Sequence, residues 1–177
     1  MFDLVSKSGK DVVDVVKQVA FEAGELLVSR FRSVLDIEYK GRGNIVTNAD
    51  KEAQDLIKKS LFAEFPTIEF VGEESENAKI PKGFCWIVDP IDGTRNFASG
   101  IPIFSIVIGL VSDSKTIVGI NYDPVRGDMF EAKLGGGTRL NGDLVHVSNK
   151  TKISECIVGM DMSYSNQGGS NSLEVIQ

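Results

Sequence analysis

The chain has 177 residues, 42% hydrophobic and 25% charged, which suits one folded domain with a full core and leaves no room for two of ordinary size. Nineteen Lys and Arg against 25 Asp and Glu give a net charge of -6 with no basic stripe, which argues against nucleic acid and anionic membrane as partners. The longest apolar run, 101–111, is broken by Pro102 and Ser105 and falls short of the roughly 20 residues of a membrane-spanning helix.

Charges are mixed into the apolar positions of the first 16 residues, with no compact apolar stretch before a small-residue cleavage site, so a secretory signal is not read and a cytoplasmic location is expected. From 11 to 31, Val12, Val15, Val16, Val19, Ala23, Leu26 and Leu27 recur at three and four, the period of an amphipathic helix. Residues 39–46 carry two glycines and no helical period. Thr47 and Asp50 are spaced as a capping box, which predicts a second helix there, with Ala53, Leu56, Ile57 and Leu61 on one face and a stop at Pro66.

Beyond Pro66 the pattern changes to short apolar or alternating runs at 68–71, 84–88, 104–110, 116–122, 129–132 and 144–147, which predict strands. Their links, such as Asp123-Pro124-Val125-Arg126-Gly127 and Asn141-Gly142-Asp143, carry hairpin-turn chemistry. The expected fold class is therefore α+β: two N-terminal helices packed on a mainly antiparallel sheet. Cys85 and Cys156 are too few for a disulfide framework or a thiolate zinc site, and both are expected to be buried thiols. His146, the single histidine, is placed in the 144–147 strand with no Cys or His companions, which gives it a surface or packing role. Met160 and Met162, flanking Asp161, are expected to begin a further strand.

The most informative stretch is Trp86-Ile87-Val88-Asp89-Pro90-Ile91-Asp92-Gly93-Thr94-Arg95-Asn96-Phe97. An apolar strand delivers Asp89 at its end, Pro90 is expected to turn the chain, and Asp92 follows at once, so two carboxylates converge. Their mutual repulsion is relieved by a hard divalent cation such as Mg²⁺, Mn²⁺ or Ca²⁺, although a solvated acidic turn would have the same composition. Gly72-Glu73-Glu74-Ser75 follows another apolar run and can bring a third carboxylate to the same sheet end. The spacing is not that of an EF-hand, and Gly135-Gly136-Gly137 lacks the Lys of a phosphate-binding P-loop.

Asp89 to Thr94, together with the upstream elements Val46-Thr47-Asn48-Ala49-Asp50 and Gly72-Glu73-Glu74-Ser75 in that order, resembles the inositol monophosphatase family of Mg²⁺-dependent, lithium-sensitive phosphatases. The resemblance spans roughly 12–148. It implies the N-terminal part of a layered α-β-α-β-α phosphatase fold and hydrolysis of a small phosphorylated metabolite, inositol monophosphate first, by a metal-activated water. Fructose 1,6-bisphosphate and other sugar or nucleotide phosphates are alternative substrates. It also implies two or three Mg²⁺ ions, with Mn²⁺ as a substitute, held by Glu73, Asp89, Asp92 and the Ile91 carbonyl. Asp50 and Thr94, with Glu73, would serve the attacking water, and Gly93, Thr94 and Asp92 would meet the phosphate. Glu74 and Lys40 would have supporting roles, and the assembly would be a homodimer.

Relatives of this kind carry a C-terminal domain whose Trp-Asp motif gives another ligand, yet no Trp follows Trp86. Residues 1–148 are accordingly expected to form a metal- and phosphate-binding domain, and 149–177 to begin an incomplete second one. Two readings stay open: part or a shortened form of an active enzyme, or a metal- or partner-binding module that does not turn over substrate.

Overall fold

Helix α1 (Val12–Arg30) forms where the three-and-four spacing of its valines requires it, with Val12, Val15, Val16, Val19, Ala23 and Leu27 buried. Asp11 caps it by accepting the Val13 N–H at 2.8 Å, and Lys133 Nζ lies 3.0 Å from the other carboxylate oxygen. The structure, a computed structural model, describes residues 4–41, 44–73, 81–113 and 115–159. Helix α2 (Asn48–Glu64) starts on the expected Thr47 and Asp50 capping box and stops at Phe65, one residue before Pro66. The stretch between the helices, which lacked a helical period, is a hairpin of β1 (Ile37–Gly41) and β2 (Asn44–Thr47) that leads directly into the α2 cap.

A seven-stranded sheet follows in chain order: β3 (Glu69–Gly72), β4 (Phe84–Asp92), β5 (Ser105–Ser112), β6 (Lys115–Asp123), β7 (Asp128–Lys133), β8 (Gly137–Leu140) and β9 (Asp143–Val145). Every neighbouring pair is antiparallel except β3 with β4, which are parallel. The fold class is thus α+β, as the sequence implies. Short turns make this meander possible: at the β8–β9 hairpin Asn141 and Gly142 both adopt positive φ, 50° and 92°, the geometry a two-residue turn needs to match strand twist.

The two helices cover one face of the sheet. Trp86, Val88, Ile106, Ile108, Leu110, Val118 and Ile120 join the helix residues in one core, where each buried aliphatic side chain contributes about 1.5–3 kcal/mol. Contact is close enough that a Cβ on Gly24 of α1 would sit 2.5 Å from the Tyr122 ring. Because side chains alternate along a strand, Ile87, Asp89, Val107, Gly109, Gly119 and Asn121 point to the opposite face, where they are only partly buried or exposed.

Three expectations need correction. Strand β4 does not turn at Pro90 but continues to Asp92, with Asp89 opposite Val107 and Asp92 opposite Ser105. Three steps on β4 therefore match two on β5, a bulge, which is one of the few places in a sheet where proline's missing N–H costs no ladder bond. The strand at 144–147 ends at Val145, so His146 lies exposed beyond it. Cys85 is buried, but Cys156 is exposed, because residues 146–159 run over the surface with one short 3-10 turn, Ile153–Glu155, and none of the described residues covers them. Met160, Asp161 and Met162 lie outside the described residues.

Candidate active site

Among the described residues, Asp50 is the one carboxylate that is fully buried, and its oxygens are hydrogen-bonded. It accepts at Oδ2 from the Thr47 N–H at 2.7 Å and from the Thr47 hydroxyl at 2.6 Å; the first is half of the α2 capping box, whose other half is the Asp50 N–H donating to the Thr47 side chain. Its other oxygen, Oδ1, lies 3.0 Å from the Thr94 hydroxyl of α3 (Thr94–Ala98). Burial raises the Asp50 pKa, against the opposing pull of the Thr47 and Thr94 hydrogen bonds. The Thr94 hydroxyl is also 2.9 Å from the Ile91 carbonyl oxygen. With one proton to donate, Thr94 serves either the carboxylate or the carbonyl at a given moment.

Asp89 is in the reverse situation. The parallel register of β3 and β4 puts Gly72 beside Val88, and the Glu73 N–H donates to the Val88 carbonyl at 2.9 Å, which brings Glu73 next to Asp89. The bulge carries Asp92 to the same end. Burial, the charge of Glu73, a hydrogen bond shared with Glu73 and the charge of Asp92 push the Asp89 pKa up to about 7, and only the Ile91 N–H, 3.1 Å from Oδ1, opposes them. Two carboxyl groups that share a proton between them are in the state from which a hard cation displaces that proton. The donor set, carboxylate and carbonyl oxygen throughout, fits Mg²⁺ or Mn²⁺, although no three such side chains already close into a cage among the described residues.

Gly93 joins the two corners. It caps α3 at φ 96°, and a Cβ there would stand 3.0 Å from the Ile103 carbonyl oxygen, so both backbone sign and space select glycine. Asn96 Nδ2 donates to that same carbonyl at 2.8 Å and fixes the loop that returns to β5. Lys40 is exposed on β1, and Glu74 lies outside the described residues.

Chain 9–176 matches the model of the inositol monophosphatase family. The chain belongs to this family. Inositol monophosphatase 2 of Solanum lycopersicum is 36% identical over 158 residues, 86% of this chain and 60% of that protein, and the inositol-1-monophosphatase of Rhizobium meliloti is 33% identical over 160 residues, 89% and 60%. The chain therefore spans about three-fifths of the length of these inositol monophosphatase relatives. The crystal structure of extragenic suppressor protein suhB from Bartonella henselae superposes with a TM-score of 0.83 at 32% identity, covering 92% of this chain and 64% of that one. A histidinol-phosphatase of Chlorobaculum parvum is 36% identical over 132 residues, 74% of this chain and 51% of that protein.

Sequence reasoning missed the cleft beside Asp92. About 360 Å³ in volume, it lies between α3 and the open face of the sheet, and Asp92, Phe104, Ser105, Asn121, Asp128 and Phe130 line it. The available signal was Asn121, a polar residue between Ile120 and Tyr122 near the end of β6.

Proposed function

We propose that this chain carries the metal- and phosphate-binding part of a Mg²⁺-dependent phosphomonoesterase acting on inositol monophosphate. The observation that carries this reading is the meeting of Glu73, Asp89 and Asp92 next to the Asp50 and Thr94 pair. Glu73, Asp89, Asp92 and the Ile91 carbonyl would hold the ions. Bound there, divalent cations supply charge stabilisation for the attacking and leaving oxygens of an in-line phosphoryl transfer. Asp50 and Thr94 orient the attacking water: the carboxylate is fixed by Thr47, so the hydroxyl it holds has a set direction. The Gly93 and Thr94 N–H groups approach the phosphate, where glycine leaves the backbone uncovered. Water oxygen bonds to phosphorus, the ester P–O bond breaks, and a proton passes to the leaving alcohol.

The histidinol-phosphatase relative favours a second substrate, an amino-alcohol phosphate, for the same centre. The exposed Val147, Ile153 and Ile157 beyond β9 support reading 149–177 as the start of a further domain. The experiment is phosphate release from a panel of monoesters with and without Mg²⁺, with Asp89→Asn as control. Metal-dependent release lost in the control supports the assignment; equal release by both proteins overturns it.

A further inference from the structure

The loop 99–104, which joins α3 to β5, is bound back onto α3 through its backbone. The Ser99 N–H donates to the Arg95 carbonyl at 3.0 Å, the Gly100 N–H to that of Phe97 at 3.0 Å and the Ile101 N–H to that of Asn96 at 2.8 Å. The Ile103 N–H then reaches the Ile101 carbonyl at 2.8 Å and closes a three-residue turn over Pro102. Phe97 and Phe104 meet edge to face with ring centres 4.9 Å apart, and Phe31 packs against both at 5.6 and 5.4 Å. Helix and loop thus share an aromatic floor and a set of backbone bonds, none of which involves a side-chain amide.

One further bond is added to this support, from Asn96 Nδ2 to the Ile103 carbonyl at 2.8 Å. Ile101 and Ile103 are 44% and 57% exposed, so side-chain packing does little to hold that peptide. Yet the Ile103 oxygen stands 3.0 Å from the place a Gly93 Cβ would take, and it walls in a glycine held at φ 96°, ψ 35°. Gly93 is the residue between Asp92, at the end of β4, and Thr94, at the start of α3. Its two dihedral angles set how those side chains stand to each other, and glycine resists a change in them less than any other residue. The Thr94 hydroxyl, 3.0 Å from the Asp50 carboxylate and 2.9 Å from the Ile91 carbonyl, loses both contacts if the turn at Gly93 relaxes.

Resting on the phosphatase reading above, we propose that Asn96 is a positioning residue for the reaction: by fixing the Ile103 carbonyl it braces Gly93, and so sets the ion-holding Asp92 against the water-orienting Thr94. Asn96 acts through the loop and contributes no group to the ion or the attacking water. Its loss therefore lowers the rate of the chemical step while leaving the groups that bind the ion in place, since a displacement of about 1 Å between reacting groups costs up to about a hundredfold. The aromatic floor and the backbone bonds remain in its absence, so the effect on rate is separate from an effect on folding.

Two measurements on Asn96→Ala test this, with Phe31→Leu as a variant that loosens the aromatic floor and keeps the amide. In the first, kcat, KM and the Mg²⁺ concentration for half-maximal phosphate release are compared well below the melting temperature of each protein. In Asn96→Ala kcat falls about thirtyfold with KM and the Mg²⁺ requirement within about twofold of the native chain, while Phe31→Leu lowers the melting temperature and keeps kcat within about twofold. An unchanged kcat in Asn96→Ala, an equal fall in Phe31→Leu, or an Asn96→Ala chain that does not fold overturns the proposal. In the second, backbone ¹⁵N relaxation is recorded on the metal-free chains. The Gly93 order parameter drops from the rigid value of about 0.85 to below about 0.6 in Asn96→Ala. A Gly93 that stays rigid in the variant overturns the brace whether or not esters are hydrolysed. A Gly93 that becomes mobile, in a protein whose native form releases no phosphate from any ester, supports the brace and shows that the phosphatase reading fails alone.

Discussion

Asp50 and Asp89 sit at two corners of one site and differ in how their charge is met. Asp50 receives two donors from Thr47 at the start of α2 and shares a third, the Thr94 hydroxyl at the start of α3, with the Ile91 carbonyl. Asp89 receives one backbone N–H and is otherwise surrounded by the charge of Glu73 and Asp92. The first corner is complete in the protein alone, so it holds its shape whether or not a cation is present. The second is a cluster of like charges, stable only with a proton or a cation among them. A site built in this way keeps its water-orienting half fixed and leaves its charge-neutralising half dependent on the ion.

The largest effect expected from breaking this contrast is on turnover. Asp89→Asn removes the charge that a cation needs most, and Mg²⁺-dependent phosphate release drops on the order of a thousandfold. The same substitution relieves repulsion, so the metal-free variant melts at or above the temperature of the native chain; a clear loss of thermal stability would contradict the crowding described for Asp89. Thr94→Val comes next, with release down about a hundredfold, because the hydroxyl that links α3 to Asp50 is gone while the ion-holding oxygens remain. Mg²⁺ affinity measured by calorimetry should change little in that variant. At the complete corner, Thr47→Val leaves a buried carboxylate short of one donor and lowers stability by about 1–3 kcal/mol, read from a denaturant midpoint at constant slope.

The Thr47 half of the complete corner was legible in the sequence, since a capping box is a local pattern whose partners are three residues apart, whereas its Thr94 hydroxyl arrives from 44 residues away. So were α1 and the hairpin-linked sheet, because their periods and turn residues are also local. What was not legible depended on contacts between distant segments. The bulge at Pro90 arises from pairing with β5, and only the observed register shows that Pro90 continues a strand and does not turn it. The exposure of Cys156 depends on what packs over 146–159, which residue type alone does not state. The cleft is assembled by β4, β5, β6 and β7 together, and only Asn121, a polar residue near the end of β6, hinted at it.

The smallest expected effect separates the corners by pH. With its pKa raised from 3.8 to about 7, folded Asp89 keeps a proton that the unfolded chain has already released over that interval. The folded state binds more protons there, so the contribution of this group to stability falls as pH rises from about 4 to about 7. After allowance for the solvent that reaches this partly exposed end of the sheet, the fall is on the order of 1–2 kcal/mol. Asp89→Asn should flatten that part of the stability profile, and Mg²⁺ added at pH 7.5 should restore the lost stability in the native chain while doing little for the variant. Thermal melts at pH 5.5 and 7.5, with Mg²⁺ and with a chelator, distinguish the cases. If Mg²⁺ raises the melting temperature of both proteins equally at pH 7.5, the ion acts elsewhere and the division between a complete and an incomplete corner is wrong.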